Sequence, residues 1–244
     1  MSALRATLFY AGLAAVTPVF TLLGLVLLIA PFHLRFAAVS RWAAFNLWWL
    51  RVTCNLDFEV VGRENIPAQA AIILCKHQSA WETLALQMVF PAQAWVLKRE
   101  LLWIPIYGWG LATLNPIAID RSAGGRALRQ LVRHGRKRLE RNIWVVIFPE
   151  GTRVAPGQRG IYQPGGALLA AETGRPVIPV AHNAGWFWPR KSFRKHPGLI
   201  RMVIGPPIAS DGRSAKEITA LAEDWIETTI NSLPVPEFAS GTHA

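Results

Sequence analysis

The sequence predicts an α/β fold, with a largely parallel or mixed sheet flanked by helices, preceded by an N-terminal membrane anchor of two helices. After residue 55, short β-rich runs alternate with amphipathic helical runs, which is typical of strands joined by crossover helices. Before residue 55 the chain is apolar and contains a long uncharged run, which is rare in soluble domains. We therefore expect an anchor over 1–54, an α/β domain over 55–233 and a disordered tail over 234–244.

The anchor is predicted from two segments. The uncharged run over 6–32 would reach roughly 40 Å as a helix at about 1.5 Å per residue, enough to cross a bilayer core of about 30 Å. The segment over 36–52 mixes tryptophans with Arg41 and Arg51, which is typical of a helix at the membrane interface. The first helix could span the membrane, or both could form a hairpin in one leaflet, which the amphipathic second helix favours. A third interpretation is a buried core helix of a soluble protein.

The α/β domain is predicted to contain seven strands and four helices. Strands are expected over 57–61, 71–74, 94–97, 116–119, 144–148, 177–181 and 201–204, where apolar and β-branched residues cluster. Helices are expected over 82–88, 125–141, 165–173 and 215–232. Gly174 suits a helix C-terminal cap.

Composition narrows the class of partner. The 244 residues are 52% hydrophobic and include 11 Trp, and 26 Lys and Arg against 15 Asp and Glu give a net charge of +11. Such an excess attracts nucleic acid, anionic lipid or an acidic carrier protein. The apolar content favours lipid as the partner, and the sequence contains no nucleic-acid-binding signature that would support nucleic acid. Cys54 and Cys75 form no C-x-x-C pair and are expected to be reduced and buried, and the scattered histidines predict no metal site.

His77 and Glu82 are the candidate catalytic pair. His77 falls just past a predicted buried strand, at the kind of strand-to-helix loop where parallel sheets place chemistry. If a helix begins near Ser79, Glu82 lies in its first turn and can face back toward the imidazole. A carboxylate on one ring nitrogen fixes the tautomer, while the other nitrogen takes a proton from an alcohol.

Candidate anion-binding residues follow three other predicted strands. Lys98 follows the strand over 94–97, Arg121 follows that over 116–119, and Arg153 follows that over 144–148. Guanidinium groups can bind a phosphate in a bidentate way, so the three cations could converge on one anion. The alternative is that they are surface charges paired with neighbouring acids, which are Glu100, Asp120 and Glu150.

Four blocks in order resemble the 1-acyl-sn-glycerol-3-phosphate acyltransferase family, which acylates lysophosphatidic acid. They are His77 and Glu82 with four residues between them, the stretch from Lys98 to Arg121, the Phe-Pro-Glu-Gly-Thr-Arg run over 148–153, and the run over 177–181. The resemblance covers about residues 50–210. It departs at position 82, where the family usually has Asp, and at Lys76, where it often has Asn.

The resemblance implies that His77 is the general base on the sn-2 hydroxyl of lysophosphatidic acid and that Glu82 orients it. It implies acyl-CoA or acyl carrier protein as the donor, no cofactor, contact with membrane lipids, and a location on the inner membrane with the active site facing the cytoplasm. The remaining implied residues surround the substrate. Lys98, Arg121 and Arg153 would bind the glycerol phosphate, Glu150, Gly151 and Thr152 would shape that pocket, and Pro179 would form the wall near the acyl donor.

Three other functions stay open. Relatives acylate other lyso-lipids, including lyso-ornithine lipids, so the acceptor could differ. A non-catalytic lipid-binding membrane protein with the same fold is a second alternative, and the change to Glu82 is its one support. A hydrolase of phospholipid or thioester is the third, and it would need a water site in place of the acceptor hydroxyl.

Overall fold

A mixed seven-stranded sheet forms the centre of the molecule, a computed structural model that describes residues 2–240. The strands are β1 (Leu56–Val61), β2 (Ile72–Cys75), β3 (Gln93–Lys98), β4 (Ile117–Ile119), β5 (Trp144–Ile147), β6 (Val177–His182) and β7 (Gly198–Ile204). Their spatial order is β1-β7-β6-β2-β5-β3-β4. All seven predicted strands are present, and their bounds differ from the predicted ones by a few residues at most.

The direction of the strands decides where the site can form. Every neighbouring pair is parallel except β6 and β7, which are antiparallel. Strand β2 is buried along its whole length and pairs with β5 on one side and β6 on the other. Because β6, β2, β5, β3 and β4 run in the same direction, their carboxyl ends lie along one edge of the sheet, where such folds bind ligands.

Helices cover the sheet and its ends. They are α4 (Trp81–Val89), α5 (Tyr107–Thr113), α6 (Gly125–Leu139), α7 (Gly165–Thr173), α8 (Ala184–Phe187), α9 (Ala215–Ser232) and α10 (Glu237–Ser240). The predicted cap is confirmed, since α7 ends where Gly174 takes a left-handed conformation with φ of 66°. Helix α9 begins with a reciprocal capping box between Ser214 and Glu217.

Helix α5 was not predicted, because Gly108 and Gly110 lower the helix propensity of its short sequence. Packing against the N-terminal region stabilises it instead. The Thr21 hydroxyl donates to the Ile106 carbonyl (3.1 Å), and Gly24 lies so close to Thr113 that an added Cβ would fall 2.7 Å from its hydroxyl.

The N-terminal region contains three helices rather than the two predicted: α1 (Ser2–Val26), α2 (Phe32–Val39) and α3 (Arg41–Cys54). The predicted second segment is divided at Ser40. Among the described residues, Ala3–Ile29 is the one helix long and apolar enough to cross a membrane, and 11% of its most apolar window is buried. So exposed a helix does not fit the interpretation as a buried core helix.

The predicted tail also differs from the structure. Helix α10 occupies Glu237–Ser240, and Phe238 stacks on His196 with ring centroids 4.4 Å apart and meets Phe187 edge-on at 5.9 Å. The structure therefore has a helical turn within the predicted tail, where one aromatic side chain finds a partner that local composition does not reveal. Residues 241–244 of that prediction lie outside the described residues.

Candidate active site

His77 and Glu82 are in direct contact at the carboxyl end of β2. The strand ends at Cys75, so His77 lies in the loop before α4, and Glu82 is the second residue of that helix. The Nδ1 atom of His77 is 2.8 Å from Oε1 of Glu82. Since an ionised carboxylate can only accept, Nδ1 carries the proton and Nε2 is the nitrogen available as a base.

The Glu82 carboxylate is fully buried at the N-terminus of α4. It accepts the backbone N–H groups of Gln78 (3.0 Å) and Ser79 (2.9 Å) as well as the His77 ring. Burial opposes its charge, but attraction to the histidine rings and these hydrogen bonds outweigh burial and lower the pKa of Glu82 below its usual value. The Glu82 side chain therefore folds back over the helix terminus and still reaches the His77 ring.

A second histidine lies near Glu82 but is structural. His182 is fully buried, and its Nε2 donates to the Lys76 carbonyl (2.9 Å) while its Nδ1 accepts the Ala184 N–H (3.2 Å). Burial lowers the pKa of His182, and attraction to Glu82 opposes that shift. Its Nε2 lies 3.8 Å from Oε2 of Glu82.

The His77 ring borders a cavity of about 670 Å³. The ring stacks on Phe148 with centroids 4.0 Å apart and planes 14° from parallel, and 15% of its side chain is exposed. The cavity lies between the edge of the sheet and the N-terminal helices, and most of its lining is apolar. Residues from every wall are Tyr10, Leu13, Trp42, Thr83, Leu84, Trp95, Leu101, Tyr107, Leu111 and Trp188.

The three predicted anion-binding cations all line this same cavity: Lys98, Arg121 and Arg153. Lys98 ends β3 and is exposed, with Glu100 3.8 Å away. Arg121 follows β4 and donates to the Gly151 carbonyl, which ties the ends of β4 and β5 together. The convergence expected from the strand ends is thus present, because parallel strands deliver their carboxyl-end residues to one edge. A fourth cation in the lining, Lys191, was not predicted.

Glu150 occupies a different place from the one predicted. Its Oε2 accepts the backbone N–H of His77 (2.8 Å), its Oε1 lies 2.7 Å from Lys76 Nζ, and it does not line the cavity. Burial raises the pKa of Glu150, against the opposing effect of Lys76. The side chain therefore joins two loops inside the protein and does not face the cavity.

The other predicted site residues lie around the cavity rather than in it. Gly151 takes a left-handed conformation with φ of 65°, which a non-glycine residue adopts only with strain. Thr152 is exposed and is absent from the lining. Pro179 is buried within β6 opposite Leu74, so it does not form a wall of this cavity.

The sequence analysis did not identify one buried cation, Lys195, which packs against the cavity-lining residues Tyr10 and Trp188. Lys195 is 3% exposed, its Nζ lies 3.7 Å from the Tyr10 ring centre and 4.6 Å from that of Trp188, and it donates to the Phe193 carbonyl (2.9 Å). Burial lowers the pKa of Lys195 to about 8. It fastens α1 to the loop after α8, and its sequence context, a basic loop, resembles ordinary surface charge.

Within residues 2–240, no three His, Cys, Asp or Glu side chains come together as a metal site requires. His77 can supply acid–base chemistry at this site, and the cations can stabilise negative charge.

The chain is similar to several known acyltransferases. The acyltransferase family model matches residues 57–183. A 1-acyl-sn-glycerol-3-phosphate acyltransferase of Pseudomonas aeruginosa is 45% identical over 94% of this chain and 91% of that protein. The human 1-acyl-sn-glycerol-3-phosphate acyltransferase alpha is 29% identical over 69% of this chain and 61% of its own length.

The fold has a solved counterpart. The crystal structure of the 1-acyl-sn-glycerophosphate acyltransferase PlsC from Thermotoga maritima superposes with a TM-score of 0.80 at 23% identity, over 95% of both chains. The ordered motifs, the Pseudomonas relative and the family match lead to one conclusion: this chain belongs to the 1-acyl-sn-glycerol-3-phosphate acyltransferase family.

Proposed function

We propose that this protein transfers an acyl group from an acyl thioester to the sn-2 hydroxyl of 1-acyl-glycerol-3-phosphate, making phosphatidic acid. The observation that carries the proposal is the contact of His77 with Glu82 beside three cations in one largely apolar cavity. The name and 45% identity of the Pseudomonas relative support the same acceptor.

The reaction needs one base and no covalent enzyme intermediate. His77 Nε2 takes the proton of the acceptor hydroxyl while its Nδ1–H stays bonded to Glu82, which stabilises the imidazolium that forms. The acceptor oxygen attacks the thioester carbonyl, and a tetrahedral oxyanion forms. When the carbon–sulfur bond breaks, the thiolate takes the proton from His77, and the imidazole is neutral again.

The acceptor's phosphate would bind to the cationic part of the cavity. Lys98, Arg121 and Arg153 come from three different strand ends and face one space, and guanidinium–phosphate contacts combine charge with directional hydrogen bonds. The apolar remainder of the lining suits acyl chains. The donor is an acyl-CoA or an acyl carrier protein, both of which are anionic and suited to a chain with a net charge of +11.

We further propose that the protein acts on the inner membrane with this cavity facing the cytoplasm. Helix α1 and the short turn that follows it expose several large apolar side chains, among them Leu22, Val26 and Ile29. Helix α5, which packs on α1, exposes Trp109, and the turn before it exposes Trp103. Tryptophan favours the membrane–water interface. Both surfaces border the elements that line the cavity, so a lipid acceptor would have a short path from the membrane.

The test is an acyl-transfer assay on purified protein in lipid vesicles. The acceptor is labelled lysophosphatidic acid or lyso-ornithine lipid, and each acceptor is supplied with acyl-CoA in one reaction and with acylated carrier protein in another. Phosphatidic acid should form from lysophosphatidic acid, and His77→Ala should lower its rate by roughly 10²- to 10⁴-fold. If only the lyso-ornithine lipid gave an acylated product, the proposed acceptor would be wrong. Binding without turnover would indicate a non-catalytic lipid-binding protein, and release of free fatty acid instead of phosphatidic acid would indicate a hydrolase.

A further inference from the structure

The residue before His77 carries a buried charge that acyl transfer does not use. The Lys76 side chain is 0% exposed, and its Nζ lies 2.7 Å from Oε1 of Glu150 and 2.7 Å from Oε1 of Glu227. The carbonyl of Gln158 supplies a third contact at 3.2 Å. Lys76 does not line the cavity, so its ammonium has a role other than substrate contact.

Backbone contacts fix the direction of this side chain. The Lys76 N–H donates to Val180 of β6 (3.0 Å), and its carbonyl accepts from His182 (2.9 Å). Because successive residues of an extended chain point to opposite sides, Lys76 points toward α9 while His77 points into the cavity. The backbone peptide between them therefore links the protein interior to the reacting imidazole.

A continuous set of contacts runs from α9 to His77. The Tyr162 hydroxyl donates to Glu227 (2.8 Å), Glu227 binds Lys76, and Lys76 binds Glu150. Glu150 accepts the His77 N–H (2.8 Å), and the His77 carbonyl accepts the Val154 N–H (2.8 Å). Both backbone polar groups of His77 are thus held by the 148–154 loop.

The ammonium makes this arrangement possible. Glu150 is completely enclosed, and an unpaired buried carboxylate carries a large desolvation penalty. Without the Lys76 charge, Glu150 would be driven either to take up a proton or to move toward water. In either case the hydrogen bond to the His77 backbone would change.

We propose that Lys76 and Glu227 are positioning residues that act through Glu150 to set the His77 imidazole relative to the loop that carries Arg153. The proposal rests on the proposed function, since it assigns these two residues a role in that reaction. Neither residue touches the substrate.

The first measurement is the turnover number per folded molecule of Lys76→Met and Glu227→Gln. Lys76→Met should lower kcat roughly 10- to 100-fold, because small displacements of a reacting group have effects of that size. Glu227→Gln should lower kcat less, since the amide oxygen still accepts from Tyr162. The matched control is Arg159→Gln, which removes an exposed ion pair to Glu223 near the same helix and should keep kcat within about twofold of the parent.

The second measurement does not depend on activity. The proton on His77 Nδ1 is hydrogen-bonded to Glu82, so its NMR resonance reports the geometry of that contact. It should shift or broaden in Lys76→Met and in Glu227→Gln and stay unchanged in Arg159→Gln. A purely structural role would lower the melting temperature and leave both the resonance and the kcat per folded molecule unchanged, which would overturn the proposal.

Failure of the proposed function and failure of the positioning role give different results in these experiments. If the parent protein does not acylate lysophosphatidic acid, the proposed function is wrong, while the His77 resonance still tests the positioning. If Lys76→Met does not fold, Glu227→Gln carries both measurements, and a parental kcat together with a parental resonance in that variant would refute the inference.

Discussion

The two carboxylates on either side of His77 are both buried but differ in the direction of their pKa. Glu82 receives hydrogen bonds from the His77 ring and two backbone N–H groups, and its pKa is lowered. Glu150 receives one backbone N–H and one ammonium that it shares with Glu227, and burial raises its pKa. The surroundings of each carboxylate, and not burial alone, thus separate the two. The histidine rings and N–H donors lower the pKa of Glu82, whereas Glu227 places a like charge near Glu150.

The difference matches two roles. Glu82 contacts the ring that we propose as the general base, so a stable negative charge there would favour the imidazolium formed during proton transfer. Glu150 contacts the backbone of the same residue, so it acts on the position of His77 and not on its charge. Four predictions test this division, from the largest expected effect to the smallest.

The largest effect is expected for Glu82→Gln. The variant loses the charge that stabilises the imidazolium, and the amide can donate to His77 Nδ1, which would move the ring proton to Nε2. We expect kcat to fall on the order of 10³-fold, measured in the vesicle assay. Glu64→Gln, on an exposed turn after β1, is the control and should be active. A loss smaller than tenfold at position 82 would contradict the catalytic role.

Glu150→Gln should have a smaller effect on kcat, roughly 10- to 100-fold. The amide oxygen can still accept the His77 N–H, but Lys76 loses one of its two carboxylates. Measurement of kcat and KM for lysophosphatidic acid separates two interpretations. A fall in kcat supports positioning, whereas a rise in KM with unchanged kcat would support the phosphate-pocket role that the sequence motif implies.

Arg153→Ala tests the cation on the loop that Glu150 holds. We expect KM for lysophosphatidic acid to rise about tenfold or more with a smaller change in kcat, because a hydrogen bond to a charged group contributes roughly 1.5–3 kcal/mol. Arg194→Ala is the control, since Arg194 is exposed and outside the cavity lining. An unchanged KM at position 153 would exclude Arg153 from phosphate binding.

The smallest effects are expected on the pH dependence of the free energy of unfolding. Because the pKa of Glu82 is lowered in the folded state, its stabilisation is present above the usual Glu pKa of about 4.3 and is lost as pH falls through the folded value. The raised pKa of Glu150 has the opposite sign, so its contribution is present at low pH and is lost as pH rises.

Denaturant unfolding at pH values between about 3 and 7 measures this difference. Relative to the parent, Glu82→Gln should lose stability mainly at the upper end of the range. The deficit of Glu150→Gln should instead shrink as pH rises. Parallel pH profiles for the two variants would show that the two carboxylates do not differ in the folded protein.

Local patterns predicted most of the domain. Each strand is a short apolar run bounded by polar or turn residues, and such runs can be read without knowing their partners. The pair of His77 and Glu82 was also predictable, because both lie within one loop and the first turn of one helix. Helix α5 and the turn with Phe238 were not, since packing against distant segments stabilises them.

The sequence by itself determined the seven strands, four helices of the α/β domain, the pairing of His77 with Glu82 and the cations at strand ends, because each depends on residues close together in the chain. Only the tertiary structure decided that Glu150 holds the backbone of His77, that Glu227 reaches Lys76 from α9, and that Pro179 lies inside the sheet. The physical reason is that a buried charge must find its partner in space, and that partner can come from any part of the chain.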